Sequence, residues 1–220
     1  SGEFADACSP SAQAFSWHPV LAPIRDQGNC GSCWAFASMG AFEANQRLAN
    51  GLELDLSEQH VLNCAQNSKG DAGSCDGGRS EKVFEWMSTG GAVQNEVQLP
   101  YVAKDQLCPA TQGGYAALAW SFVDPKTNTP SVAAIKAAIC KYGPVTASVR
   151  STKAFHAYQS GVFDEDAVGD TNHAIVLVGW DESRGAWLLR NSWGTGWGED
   201  GYMWIEYGSN SVGRNAAWVM

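Results

Sequence analysis

The stretch QGNCGSCWAF, residues 27–36, places two cysteines immediately before an apolar segment. Apolar residues recur at helical spacing from Ala35 onwards, and Ser32 is a suitable N-cap, so the sequence predicts a helix over 32–49. Cys33 then lies in the first turn, where unpaired backbone N–H groups and the helix dipole favour an anion. Because a helix N-terminus is one of the settings that lower a thiol pKa, Cys33 is a candidate nucleophile.

A histidine suited to act as the base for this thiol stands at the head of a predicted strand. His173 precedes the apolar run AIVLVGW, which would put its imidazole at the mouth of the strand, facing solvent or a cleft. Asn191 follows 18 residues later, and its amide can accept a bond from one imidazole nitrogen and so fix the ring tautomer. Trp193 is placed to shield that bond from water. Since a thiolate nucleophile needs a base, His173 is a candidate for that role among the four histidines.

The other three histidines carry weaker signals. We expect His18, His60 and His156 to be structural or surface-exposed. His60 falls within a predicted helix, and His156 falls within a polar loop over 151–160.

Composition restricts the class of protein. A chain of 220 residues fits one large domain or two small lobes. Asp and Glu number 23 against 14 Lys and Arg, a net charge of −9, and no run of five basic residues occurs, which argues against nucleic acid or membrane as a partner. No apolar run approaches the roughly 20 residues that span a bilayer. Residues 1–6 lack signal-peptide features, and Ser1-Gly2-Glu3-Phe4 is interpreted as a cloning remnant.

Hydrophobic patterning gives helices mainly in the first half of the chain and strands in the second. After the first helix, further helices are predicted over 57–63, 80–88 and 131–142, and strands over 118–123, Val145–Val149, His173–Trp180, Ala186–Arg190 and Gly201–Tyr207. This order is typical of an α+β protein, and we expect two lobes with a cleft between them.

The motif around Cys33 resembles that of a known family. Cys30-Gly31-Ser32-Cys33-Trp34 matches the Cys-Gly-Ser/Ala-Cys-Trp/Tyr pattern of papain and the cathepsins, and His173 follows Cys33 by 140 residues. The chain is similar to the mature catalytic domain of papain-like (C1 family) cysteine peptidases over nearly its whole length. Further blocks occur in the family's order: Cys75 to Gly78, Pro100-Tyr101, Gly143-Pro144-Val145, His173-Ala174 and Asn191 to Gly201.

The resemblance implies a fold and an activity. It implies a two-lobe α+β fold, with a mainly helical lobe over 18–117 and a mainly β, barrel-like lobe built from 1–17 and 118–220. It implies a thiol endopeptidase that needs no metal or organic cofactor. The implied catalytic residues are the nucleophile Cys33, its partner His173, the orienting Asn191, and Gln27, whose amide would join the Cys33 N–H in an oxyanion hole.

Seven cysteines occur in the chain, and their pairing cannot be deduced from the sequence alone. The resemblance implies bridges Cys30–Cys75 and Cys64–Cys108. Our hypothesis for the remaining two is a bridge between Cys8 and Cys140 that leaves Cys33 free. Disulfides would place the protein in an oxidising compartment: outside the cell, in the periplasm, or in a lysosome- or vacuole-like organelle. The alternative is a cytosolic protein with seven reduced thiols.

The substrate cleft departs from the family pattern. After two glycines, the family usually has an aromatic or aliphatic residue and a proline at a wall of the pocket for the second residue before the scissile bond. This chain has Arg79-Ser80 there, and Ser148 aligns with another wall that is often apolar. The pocket is therefore predicted to be partly polar and to tolerate polar or acidic side chains. The substrate-binding residues implied in this way are Gly77, Gly78, Arg79, Ser148, Asn172 and Trp193.

The expected partners are protein or peptide substrates, the enzyme's own propeptide as an inhibitor, and cystatin-like inhibitors of a monomeric enzyme.

A redox or zinc role for Cys30-x-x-Cys33 is disfavoured, because no second Cys-x-x-Cys motif and no flanking βαβ pattern occur. Two alternatives to a peptidase stay open: a non-proteolytic Cys-His acyltransferase, and a family member that only binds.

Overall fold

The structure is a computed structural model that describes residues 7–110 and 112–220; the stretch interpreted as a cloning remnant lies outside them. Five helices are present in the described part. The four longer ones agree with the predicted helices to within one or two residues at each end. The helices are α1 (Cys33–Asn50), α2 (Glu58–Cys64), α3 (Ser80–Ser88), α4 (Val132–Tyr142) and α5 (Lys153–His156), and single 3-10 turns cover His18–Val20 and Ser209–Ser211.

The prediction of a loop over 151–160 is wrong at α5. Thr152 caps this one-turn helix by accepting a bond from the Phe155 N–H at 3.2 Å, and the Phe155 side chain is buried. The helix forms because it brings Phe155 into the core, and it is too short to show a periodic pattern.

Twelve short strands lie in the described residues. Two pairs form small hairpins in the first lobe, and the others form one mainly antiparallel sheet in the order β6-β12-β7-β9-β10-β11-β8, with β1 also paired to β9. The strands are β1 (Ala14–Ser16), β2 (Gln66–Asn67), β3 (Gly70–Asp71), β4 (Gly73–Ser74), β5 (Gly77–Gly78), β6 (Trp120–Phe122), β7 (Val145–Val149), β8 (Val162–Phe163), β9 (His173–Asp181), β10 (Ala186–Arg190), β11 (Tyr202–Glu206) and β12 (Arg214–Val219).

Helix α1 runs between the two lobes and carries Cys33 at its first position. Gly51 ends the helix in the left-handed region, with φ of 68°. The predicted side-chain cap is wrong in detail, since the Ser32 hydroxyl forms no capping bond and lies 2.6 Å from the Tyr101 hydroxyl. On its other side, α1 packs through Ala37 against Val176 of β9.

Each lobe has its own apolar core. The first-lobe core gathers around α1, α2 and α3, and the second-lobe core gathers between the sheet, α4 and α5. The large, fully buried side chains include Trp34, Phe42, Phe84 and Met39 in the first core, and Phe155, Trp180, Trp187 and Ile135 in the second. The sheet and helices together form the α+β fold expected from the sequence.

Three disulfides join Cys8 to Cys140, Cys30 to Cys75, and Cys64 to Cys108, and Cys33 is the remaining free thiol. Such bridges persist in oxidising compartments. Within the described ranges, no helix is long and apolar enough to cross a membrane. The same residues contain no group of three or more side chains arranged to hold a metal ion.

Candidate active site

Cys33 and His173 come from different lobes and line the same cavity, which has a volume of about 330 Å³. Cys33 begins α1 and His173 begins β9, where it pairs with Val149 of β7. The Ala174 N–H, next to the histidine, points at the Cys33 Sγ at 3.5 Å. The cross-lobe packing of α1 against β9 therefore brings the two predicted partners to one cleft.

The orientation of His173 is set by Asn191, which follows β10. The imidazole Nε2 lies 2.8 Å from the Asn191 Oδ1, which also accepts a bond from the Ser192 N–H at 2.9 Å. An amide oxygen can only accept, so Nε2 carries the hydrogen when the ring is neutral. This tautomer leaves Nδ1 as the nitrogen that can exchange a proton with Cys33.

Trp193 covers the imidazole. Its indole stacks on His173 with ring centroids 4.7 Å apart and an interplanar angle of 29°. His173 is 7% exposed and Asn191 is 3% exposed. The His173–Asn191 bond is thus largely shielded from water, and Trp193 makes this contact while lying outside the lining of the catalytic cavity.

Gln27 is held rigidly beside the same cleft. Its Oε1 accepts a bond from the Ser192 hydroxyl at 2.7 Å, and its Nε2 donates to the Cys30 carbonyl at 3.0 Å. A primary amide has two N–H groups, so one stays available for a ligand. Ser192 carries no sequence signal of its own, although it directly follows Asn191 in the NSWGTGWG block.

Burial governs the protonation of both catalytic candidates. Burial raises the pKa of the Cys33 thiol, and the bonds from the Ala174 and Trp34 N–H groups only oppose that effect. The backbone N–H groups at the helix N-terminus lower this pKa, as expected from the sequence, but burial is the larger effect and the net shift is upward. Burial also lowers the pKa of His173 to about 4, against the opposing bond to Asn191. A lone charge on either group is disfavoured, so a thiolate is stabilised only when an imidazolium forms with it.

The walls of the catalytic cavity are largely polar. Gly77 and Gly78 form one edge, and a Cβ on Gly78 would lie 2.5 Å from the Trp34 ring, so only glycine fits there. Arg79 pairs with Glu81 at 3.3 Å and is 65% exposed in its side chain. The residues that line the cavity with Cys33 and His173 include Gly77, Gly78, Arg79, Glu81, Thr146, Ser148, Thr171, Asn172 and Asn215.

The remaining histidines occupy different positions. His60 is buried in α2, and His18 is exposed with its ring edge against Tyr202. His156, at the end of α5, is exposed and stacks on Trp193 with ring centroids 4.4 Å apart. Trp193 therefore contacts both His156 and His173. Its position in a polar segment gave no signal of this contact.

Comparison with known proteins gives the same family throughout. Residues 11–220 match the profile described as papain family cysteine protease. Mouse pro-cathepsin H is 35% identical over 218 residues, covering 94% of this chain and 64% of that protein. Tomato (Solanum lycopersicum) cysteine proteinase 3 is 36% identical over 202 residues, covering 88% of this chain and 55% of that protein. The chain thus spans a little over half to about two thirds of the length of these relatives.

Solved structures of other proteins have the same fold as this chain. A Carica candamarcensis cysteine protease in complex with E-64 superposes with a TM-score of 0.82 at 28% identity, covering 95% of this chain and 98% of that one. A structure from work on the mite allergens Blo t 1 and Der p 1 gives a TM-score of 0.86 at 27% identity, covering 99% of this chain and 76% of the other. On its sequence, fold and cleft, the chain belongs to the papain family of cysteine proteases.

Proposed function

We propose that this chain is the catalytic domain of a cysteine endopeptidase that hydrolyses peptide bonds through an acyl-enzyme. The observation that carries the proposal is the convergence of Cys33 and His173 on one cavity, with His173 fixed by Asn191 at 2.8 Å. The catalytic domain takes in both lobes, which divide near residue 117. No cofactor is required, because Cys33 supplies the nucleophile and His173 moves the protons.

In the first half of the reaction, the Cys33 thiol passes its proton to His173 Nδ1 while Sγ attacks the peptide carbonyl carbon. The carbonyl electron pair moves onto oxygen. The tetrahedral intermediate then collapses, the C–N bond breaks, and the leaving nitrogen takes the proton from His173. The products of this half are a thioester on Cys33 and a free amine.

In the second half, water attacks the thioester carbon and gives a proton to His173. The C–S bond breaks, the acid product leaves, and Sγ regains the proton. Both halves pass through an oxyanion, for which the free N–H of the Gln27 amide and the Cys33 backbone N–H are the proposed donors. Asn191 and Trp193 keep His173 in the required tautomer and orientation.

The pocket for the second residue before the scissile bond is proposed to be partly polar. Arg79, Ser148 and Asn215, whose side chains are all polar, line the cavity. Polar groups left unpaired by an apolar ligand would oppose its binding. A positional-scanning peptide library tests this: polar or acidic side chains are expected to be accepted, and a strong preference for Leu or Phe would overturn the proposal.

The proposed partners and location follow from the family and the disulfides. A propeptide would inhibit the enzyme before activation, as the name of mouse pro-cathepsin H suggests for that relative. Cystatin-like proteins would inhibit the mature monomer. Three disulfides support a secreted, periplasmic, lysosomal or vacuolar location.

The activity is tested with an internally quenched peptide that carries blocked ends. The wild-type chain is expected to cleave it, whereas Cys33→Ala and His173→Gln are expected to be inactive. His18→Gln serves as the matched histidine control and should retain activity. Cleavage by Cys33→Ala would contradict the role of Cys33 as nucleophile. A wild type that cleaves nothing would favour a binding-only protein, and acyl transfer without hydrolysis would favour an acyltransferase.

A further inference from the structure

A second groove lies next to the catalytic cavity. It has a volume of about 680 Å³, and we call it the α5 groove. Asn172 lines both this groove and the catalytic cavity, so the two spaces meet at the Asn172–His173 corner. The residues that line it are Ser151, Thr152, Lys153, His156, Ala157 and Asn172.

The α5 groove is joined rigidly to the catalytic histidine. His156 stacks on Trp193, which itself stacks on His173. On the opposite wall, the Asn172 side chain accepts a bond from the Ser151 N–H at 2.7 Å and donates to the Ser151 carbonyl at 3.1 Å. These contacts fix the groove relative to the reacting atoms.

The charge of the groove differs from that of the whole chain. The chain carries a net charge of −9, yet no acidic residue in the described ranges lines this groove, whose lining includes Lys153 and His156. The nearby Glu165 carboxylate is engaged elsewhere, since it accepts bonds from the Thr152 hydroxyl at 2.6 Å and the Asn210 amide at 2.7 Å. Lys153 takes part in none of the ion pairs found among the described residues.

The proposed function sets the direction of the substrate. It places the residues before the scissile bond in the cavity that holds Gly77 and Gly78, and His173 must reach the leaving nitrogen. The peptide beyond that nitrogen therefore passes over His173 into the α5 groove. We infer that this groove selects substrates with an acidic side chain at the first residue after the scissile bond, held by Lys153 and His156. This inference rests on the proposed endopeptidase function.

The test uses three internally quenched peptides that are identical except for Glu, Gln or Lys at the first residue after the scissile bond. For the wild type, kcat/KM is expected to be about threefold higher for Glu than for Gln, the scale of an exposed ion pair. Lys153→Gln should bring the Glu-to-Gln ratio to about one, and Lys153→Glu should favour the Lys peptide. The ratio should also shrink as salt is added, because exposed charges are screened.

Lys126→Gln, at an exposed lysine outside the groove, is the matched control and should keep the wild-type ratio. A peptidyl aminocoumarin amide, which has no residue after the scissile bond, tests the proposed function separately. If the wild type cleaves neither the dye amide nor any peptide, the endopeptidase proposal fails. If it cleaves the dye amide but shows no preference for Glu, or if Lys153→Gln keeps that preference, the inference about the α5 groove is overturned.

Discussion

At Cys33, two physical effects oppose each other. The first turn of α1 offers backbone N–H groups that favour a thiolate, and the Ala174 N–H at 3.5 Å adds to them. Burial disfavours the thiolate and is the larger effect, so the thiol pKa is raised. The same burial lowers the pKa of His173 to about 4. The reactive state therefore depends on the pair of groups rather than on the cysteine alone.

This protonation balance predicts a broad pH profile. Below about pH 4, His173 is protonated while Cys33 keeps its proton, so no base can take the thiol proton and activity is lost. At high pH, the Cys33–His173 pair loses its shared proton and activity falls. Because burial raises the pKa of Cys33, we expect this alkaline loss of activity at a higher pH than for an ordinary thiol. We expect kcat/KM for an uncharged peptide to fall on the acid side near pH 4. An acid limb between pH 6 and 7 would contradict this account.

Gln27 provides a prediction about transition-state stabilisation. Gln27→Ala removes one proposed oxyanion donor, so kcat should fall by about 10²–10³-fold with a smaller change in KM. Steady-state kinetics on the quenched peptide measure both constants. Gln13→Ala, at an exposed position, is the control and should behave as the wild type. A Gln27→Ala variant with unchanged kcat would remove the amide from the proposed mechanism.

The sequence predicted the residues that lie in recognisable blocks, and it missed those defined by contacts across the fold. Cys33, His173, Asn191 and Gln27 could be proposed because each lies in a motif. The stacking of His156 on Trp193 could not, because the two residues are distant along the chain and meet only when α5 folds against the second lobe. Ser192 reaches Gln27 across the two lobes in the same way.

At the scale of elements, segments with a clear apolar pattern were predictable, including the five-residue strands β7 and β10, whereas a strand without such a pattern was not. Helices α1 to α4 carry enough turns for their apolar spacing to show. Strand β12 does not, since its sequence RNAAWV lacks a run of β-branched residues and Asn215 has a positive φ of 53°. It becomes a strand because β6 and β7 supply its hydrogen-bonding partners on either side.

Glu43 couples helix α1 to the loop before α2. Its Oε1 accepts a bond from the Leu56 N–H at 2.7 Å, and burial raises its pKa to about 7. The nearby Asp55 carboxylate also raises this pKa, whereas Arg190 and Arg25 lower it. A carboxyl whose pKa is raised on folding stabilises the fold below its unfolded pKa, and that stabilisation is lost as pH rises through the folded value.

Glu43→Gln should therefore raise the free energy of unfolding, relative to the wild type, by more at pH 8 than at pH 4.5. Glutamine keeps an Oε1 acceptor for the Leu56 N–H but cannot ionise. The difference in free energy of unfolding between the variant and the wild type should be larger at pH 8 than at pH 4.5 by up to about 3 kcal/mol. This is the size expected for the shift in the Glu43 pKa. Denaturant unfolding at both pH values measures this, with Glu53→Gln as an exposed control. An equal difference at both pH values would contradict the assignment.

At the scale of the whole molecule, the Cys8–Cys140 bridge links the N-terminal segment to α4 across a sequence separation of 132 residues. A bridge that closes so long a loop restricts the unfolded chain strongly. The N-terminal segment also supplies β1, which pairs with the end of β9 left free by β7. Both features tie residues 8–16 into the second lobe.

Replacing both cysteines, Cys8→Ser with Cys140→Ser, should lower the free energy of unfolding by about 2–5 kcal/mol. Activity at low temperature should remain, because neither residue lines the catalytic cavity. Denaturant unfolding gives the stability change, and mapping of disulfide peptides in the wild type checks the pairing. Native alkylation of both thiols would show that the bridge is absent.

The central claim is that Cys33 is the single nucleophile of a cysteine endopeptidase. Titration with an E-64-type epoxide, followed by peptide mapping, tests it most directly, because the epoxide forms a stable thioether with a reactive cysteine. One equivalent bound at Cys33, with peptide hydrolysis lost in proportion to labelling, is the predicted result. Labelling at another residue, or hydrolysis that survives full labelling of Cys33, would contradict the claim.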